Sequence, residues 1–310
     1  MADISGIFGG GGATTFMGLP AASLDDLAGT DVVLLGIPHA TPYAATGSYA
    51  AGSPKAIRAA VAGHAAALGH IDFDLGGPLL ADSRRRVVDA GDLPTTPDDP
   101  AANRQLIRQT IEAILAAGAV PVILGGDDSV PIPVLDAYAG TPLTILQLDA
   151  HIDWRDEVGG ERLGLSSNMR RASEMPHVER MVQVGQRWIG SARPTDHADA
   201  LRWGVRFVSG RDVQVNGLGP AIEAIPAGAN VYVNFDIDVL DPAIMPAVIG
   251  PAPGGLGYWQ AVDLLAGVAA KAKIAGFSLV EFTPDRDRDG LAALTAARIV
   301  SNVLGLLARA

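Results

Sequence analysis

The chain has 310 residues, no cysteine and a formal net charge of -11. Nucleic acid and anionic membranes are bound chiefly through excess Lys and Arg, so this balance argues against both as partners, and the lack of cysteine excludes disulfide scaffolds and thiolate metal sites. Any metal must be held by oxygen or imidazole, and without a basic stretch leading an apolar one, or a run of the ~18 apolar residues that a membrane span needs, the expectation is a cytoplasmic protein.

Residues 1–30 show no clear period. Gly9 to Gly12 follow no strand and lead into no helical pattern, so they read as part of an N-terminal arm rather than as a phosphate loop. Asp31 to Pro38 is an apolar strand stopped by Gly36 and Pro38; the loop from His39 to Gly52 follows, and Pro54 is placed to open a helix carrying Ile57 and Arg58. Arg86 to Asp92 is a shorter strand whose two acids, Asp89 and Asp92, either support a site or cap a turn. Residues 101–118 have helical spacing, and Pro121 to Leu124 is a strand running into Gly125-Gly126-Asp127-Asp128-Ser129. A helix follows, then strands at 143–149 and Met181 to Gly185, a helix near 194–203, a strand at 230–236, a helix from about 258, a strand from Ile274 to Glu281 and a long helix from about 289. Strand and helix alternate without a composition break. The pattern predicts one α/β domain over residues 31–310, a parallel sheet with helices on both faces.

In such a sheet ligands bind beyond the carboxyl ends of the strands. Two apolar runs end there in acids: Leu146-Gln147-Leu148 leads into Asp149-Ala150-His151-Ile152-Asp153, and Val231 to Phe235 leads into Asp236-Ile237-Asp238. Side chains two apart on a strand share a face, so each pair can converge. With Asp128 they make five carboxylates and one imidazole. That many acids in one cleft repel one another unless cations compensate, and two divalent ions would do so. Oxygen ligands with one histidine suit Mn²⁺, with Ni²⁺, Fe²⁺ or Zn²⁺ as alternatives. Two such ions ~3.5–4 Å apart can share a water and bring its pKa towards neutrality, which points to metal-assisted hydrolysis. His64, His70, His177 and His197 have no such company and read as surface or helix-end residues.

These stretches resemble the ureohydrolase family of arginases, agmatinases and guanidino-acid hydrolases. Gly125 to Ser129, Asp149 to Asp153, Asp236 to Pro242, Pro251-Ala252-Pro253-Gly254-Gly255 and Glu281-Phe282-Thr283-Pro284 carry the likeness, supported by Gly36-Ile37-Pro38 and Asp89 to Asp92. Thr15-Phe16-Met17 to Pro20 is closer to the agmatinase branch. The resemblance implies a three-layer αβα fold, a binuclear manganese centre, a homo-oligomer (trimer or hexamer) and hydrolysis of a guanidinium carbon to urea and an amine by a metal-bridging hydroxide. It assigns Asp149, His151, Asp153, Asp236 and Asp238 as metal ligands and Glu281 as the partner of the substrate guanidinium; in the hydrolysis expected here Asp153 is the group that holds or relays the proton. Asp128 stands where a histidine ligand is usual, a harder and more anionic substitute. Leu165 stands where many members carry a histidine treated as a proton shuttle, and His39 is the candidate to replace it. The segment Pro246 to Gly250 lacks the usual Gly-Thr pattern, which disfavours arginase itself.

The loop from Trp154 to Arg162 is expected at the far end of the substrate, where its acids suit an amine and Arg155 or Arg162 a carboxylate. Agmatine and guanidino acids both stay open. The alternatives are a catalytically weak subunit in a mixed oligomer with a paralogous active relative, motivated by Asp128 and Leu165, or a hydrolase of a biguanide or formimino compound.

Overall fold

Every residue of Val32–Ile37, Val120–Gly125 and Leu143–Leu148 is buried, which a strand meets only inside a sheet covered on both faces. The computed structural model describes residues 13–80, 84–189 and 192–310, so the Gly9 to Gly12 run lies outside the described residues. In chain order the strands are β1 (Val32–Ile37), β2 (Ile71–Asp72), β3 (Gly77–Pro78), β4 (Val87–Asp92), β5 (Val120–Gly125), β6 (Leu143–Leu148), β7 (Val178–Val184), β8 (Arg206–Val208), β9 (Asn230–Asp236) and β10 (Lys273–Val280). The helices between them are α1 (Ser53–Val61), α2 (Pro100–Ala116), α3 (Pro131–Asp136), α4 (Asn168–Ser173), α5 (Pro194–Trp203), α6 (Gly210–Asn216), α7 (Gly219–Ala224), α8 (Tyr258–Ala269) and α9 (Leu291–Arg309).

All but β2 and β3 form one sheet in the order β4-β1-β5-β10-β9-β6-β7-β8, with parallel pairing throughout. Period-2 alternation divides its side chains between two cores. Val32 and Leu34 of β1 join Ile57 of α1, Leu264 of α8 and Val300 of α9 on one face, whereas Val33 and Leu35 join Ile107 of α2, Leu135 of α3 and Met169 of α4 on the other. The result is the expected three-layer αβα arrangement.

Helix starts follow local chemistry. Pro54, Pro100 and Pro194 occupy first-turn positions, Asp99 accepts from the Ala102 N–H, and Ser209 with Asp212 forms a capping box before α6. The short elements β2, β3, β8, α4, α6 and α7 are absent from the sequence expectation because two to seven residues carry too little periodicity. Helix α9 has a membrane span's length and a mean hydropathy of 1.7, but most of it is buried against the sheet, as suits a core helix.

Residues 16–22, expected in an arm, are docked instead. Phe16 and Leu19 are buried in the core, the Phe16 N–H donates to the Asp89 carboxylate at 2.8 Å, and Asp89 exchanges backbone hydrogen bonds with Pro20 and Ala22. Asp89 also takes a bidentate pair from Arg58, at 2.8 and 2.9 Å, and Arg58 reaches Asp92 as well. Both acids therefore hold α1, β4 and the docked segment together.

Candidate metal centre and active site

The neighbouring strands β5, β10, β9 and β6 deliver the acids from their carboxyl ends. Asp128 lies just past β5, Asp149 to Asp153 follow β6, Asp236 ends β9 with Asp238 in the next turn, and Glu281 follows β10. Asp153 and Glu281 have left-handed backbones, with φ of 44° and 72°, a conformation that costs an L-residue roughly 1–2 kcal/mol. Hydrogen bonds hold both turns: Glu281 N–H donates to the Gly126 carbonyl at 2.9 Å, and Arg170 N–H to the Asp153 carbonyl at 3.2 Å. Gly126 is required where it stands, because a Cβ there would lie 2.1 Å from the Pro38 carbonyl oxygen.

A cavity of about 330 Å³ opens at this point. Asp128, His151, Asp153, Asp236, Asp238 and Glu281 line it together with Leu165, Ser166, Ile249 and Gly250. Asp149 is fully buried beneath. Ligand atoms of Asp149, His151 and Asp238 lie within 4.8 Å of one another, as do those of Asp128, Asp149 and Asp236, so Asp149 belongs to both groups.

The electrostatics ask for cations. Burial, then the charge of Asp149, holds the Asp128 carboxyl well above the ordinary carboxylate range; Asp153 is raised by the same two causes, and burial with neighbouring acids also raises Asp236 and Asp238. Burial opposes a charged His151, but its hydrogen bonds with Asp149 and Asp238, at 3.3 and 3.0 Å, outweigh it and push its pKa up to about 11. Burial also acts against Asp149, yet the bonds with His151 prevail and lower it. A proton on His151 thus stands in for positive charge that divalent ions supply better. Oxygen donors with one imidazole fit such ions, so the residues present suit the two-cation centre that the resemblance implies.

Polar residues not foreseen from the sequence hold these acids. Gln147 Nε2 donates to Asp149 at 2.6 Å and Asp153 at 3.0 Å, Gln183 donates to Gln147, and Asn168 and Asn234 donate one to each oxygen of Asp128. Gln147 and Asn234 each lie two residues before an acid on an apolar strand, a signal that alternation offers. Tyr49, from the loop after β1, donates to Glu281 at 2.7 and 2.8 Å, and the Asp128 N–H adds a bond at 2.8 Å. Burial, followed by the charge of Asp127, still pushes Glu281 up to about 8.

Three expected roles are corrected by placement. His39 does not line the cavity: its ring lies against Thr95, and burial lowers its pKa despite the nearby Asp127. Arg155 and Arg162 do not line it either, because Arg155 Nε faces Asp196 at 4.0 Å and Arg162 is drawn to Asp156 at 3.1 Å. Among the remaining histidines, His177 bonds the Leu135 carbonyl and His197 stacks on Phe207.

A profile of the arginase family matches residues 30–305. The chain belongs to the arginase family. It is 29% identical to an agmatinase of Pyrococcus horikoshii over 94% of its own length and 96% of that protein, and 34% identical to a guanidinopropionase of Pseudomonas aeruginosa over 72% of each. The crystal structure of proclavaminate amidinohydrolase from Streptomyces clavuligerus superimposes with a TM-score of 0.84 at 30% identity, covering 96% of this chain and 98% of that one. This family member is an amidinohydrolase, acting on C–N bonds other than peptide bonds in linear amidines. The agmatinase-like branch suggested by Thr15 to Pro20 agrees with these relatives.

Proposed function

We propose that the chain hydrolyses a small guanidino compound to urea and an amine, and that the far end of that compound is neutral or cationic. The observation that carries this reading is Glu281: a buried carboxylate with both oxygens oriented by Tyr49 and the Asp128 N–H, facing the cavity that the metal-binding acids line. A planar fork of N–H donors matches a carboxylate bidentately, and docking there holds the central carbon against the acid cluster. Guanidinium also replaces the proton that burial otherwise favours on Glu281.

Asp149, His151 and Asp238 would hold one divalent ion and Asp128, Asp149 and Asp236 the other, with Mn²⁺ the first choice. When bound, such ions compensate the acids and acidify a water. Water contributes oxygen to the guanidinium carbon, the C–N bond to the tail breaks, and the leaving nitrogen must gain a proton. With Leu165 in the wall, His151 is the one imidazole among the described lining residues, and it is committed to Asp149 and Asp238. We assign the proton transfer to Asp153, whose Oδ2 is engaged by Gln147, so that Oδ1 carries the proton.

The tail assignment rests on charge. Among the described residues, no Lys or Arg lines the cavity, and the stretches outside them contain neither. The guanidinium groups near its edge are occupied: Arg187 donates to the Ala252 and Asp238 carbonyls at 2.7 and 2.6 Å, and Arg286 to Val248 at 2.7 Å. Leu165 and Ile249 offer apolar contact instead. Urea release from agmatine, guanidine, guanidinobutyrate, guanidinopropionate, arginine and biguanides, with protein loaded separately with Mn²⁺ and Ni²⁺, tests the reading. Urea from agmatine or a neutral alkylguanidine supports it. Preference for a guanidino acid refutes the tail assignment, and silence with metal bound refutes the reaction.

A further inference from the structure

The two groups of ligand atoms differ in kind. Asp149, His151 and Asp238 combine oxygen with imidazole, whereas Asp128, Asp149 and Asp236 offer carboxylate oxygen alone. Imidazole suits Co²⁺, Ni²⁺ and Zn²⁺, while carboxylate oxygen suits Mn²⁺ and Mg²⁺. The difference originates at Asp128, and the surroundings of that residue are built for a carboxylate. Asn234 donates to Oδ1 at 2.9 Å and Asn168 to Oδ2. Asn234 is itself oriented, because its own oxygen accepts from the Ser278 hydroxyl at 2.8 Å, which leaves its amide nitrogen turned to Asp128.

We propose that the centre is asymmetric: the His151 position loads first and takes a borderline ion such as Co²⁺, and the Asp128 position loads second, more weakly, and selects a hard ion such as Mn²⁺. This inference rests on the two-cation reading given above. Asp149, shared by both groups, couples the positions, since an ion at the first withdraws charge from the second. The preferred state in a mixture of the two ions is therefore one of each.

The test uses the metal-free full-length protein, titrated with Co²⁺ followed by visible absorption and with Mn²⁺ followed by electron paramagnetic resonance. One equivalent of Co²⁺ should bind tightly, and one of Mn²⁺ should then bind without displacing it, leaving equal amounts of the two metals after desalting. Asn168→Ala should weaken binding about 10- to 100-fold at the second position, the usual effect of removing a group that supports a ligand, and leave the first unchanged. Asp128→His should tighten the second Co²⁺ and weaken Mn²⁺ there. Two Co²⁺ ions bound with indistinguishable affinity, or Mn²⁺ displacing the first Co²⁺, overturns the asymmetry while leaving the hydrolase reading intact if urea is still released. No metal bound and no urea overturns both. Asn168→Ala retains the acids themselves, so it decides the matter if Asp128→His does not fold.

Discussion

Replacing Glu281 by Gln keeps the shape of the side chain and removes its charge. The Gln oxygen can still accept from the Asp128 N–H, now made at 2.8 Å, while its amide nitrogen meets Tyr49, whose hydroxyl can turn to accept. The fold should therefore persist, and because a buried carboxyl pushed up to about 8 is removed, the variant should be no less stable than the parent at pH 8. Two charge-assisted hydrogen bonds to a guanidinium are worth about 1.5–3 kcal/mol each. Gln retains one acceptor, so about half of the sum is lost, roughly 1.5–3 kcal/mol, or about 10- to 150-fold in kcat/KM at 1.4 kcal/mol per tenfold. Steady-state urea release, with metal content and melting temperature measured on the same samples, is the assay. A loss under about threefold in a properly metallated, folded variant would refute the pairing of Glu281 with the substrate.

Tyr49→Phe removes a hydrogen bond that lowers the Glu281 pKa, so the acidic limb of the kcat/KM profile should move to higher pH and activity near pH 7 should fall roughly tenfold; an unmoved limb contradicts the contact. In the metal-free protein the Glu281 carboxyl is raised from 4.5 to about 8, so its contribution to stability is complete below pH 4.5 and is lost as pH rises through 8. Metal ligands must shed protons, so the gain in melting temperature on adding Mn²⁺ should be larger at pH 8 than at pH 5.5, and a gain that shrinks with pH would count against the ligand set. Gly126→Ala puts a methyl group on the Pro38 carbonyl and should destabilise by about 1–3 kcal/mol in denaturant titration, with loss of activity because Glu281 hangs from the Gly126 carbonyl. Unchanged stability would show that this strand end has more room than described.

The apolar runs ending in acids were legible because a buried parallel strand leaves little choice of residue until it emerges, so Asp149, His151, Asp236 and Asp238 stand out from Val231 to Phe235 and Leu146 to Leu148. Glu281 was reached through resemblance, since one acid after a strand has no period of its own. Tyr49, Asn168 and Arg155 depend on loop paths and on partners 232, 40 and 41 residues away, which local pattern does not encode. His39 likewise turns to Thr95, 56 residues away, whereas Arg162 is held by Asp156 within its own loop. Phe16 and Leu19 carry a likeness in the sequence, but their docking is not legible there, because packing against a sheet edge needs a complementary gap rather than a repeat.

The last strand of the chain, β10, sits at the middle of the sheet, between β5 and β9. Until it is inserted, the protein is two separate half-sheets, β4-β1-β5 and β9-β6-β7-β8, each with an open inner edge. Asp128 belongs to the first half, and Asp149, His151, Asp153, Asp236 and Asp238 belong to the second, so the centre lies along the seam. The group of Asp128, Asp149 and Asp236 spans the seam and needs β10 in place, whereas Asp149, His151 and Asp238 come from the second half alone; a chain lacking β10 would present two bare edges to any neighbour. Capture of an ion at the group that crosses the seam would therefore report closure of the sheet, whereas capture at His151 would not.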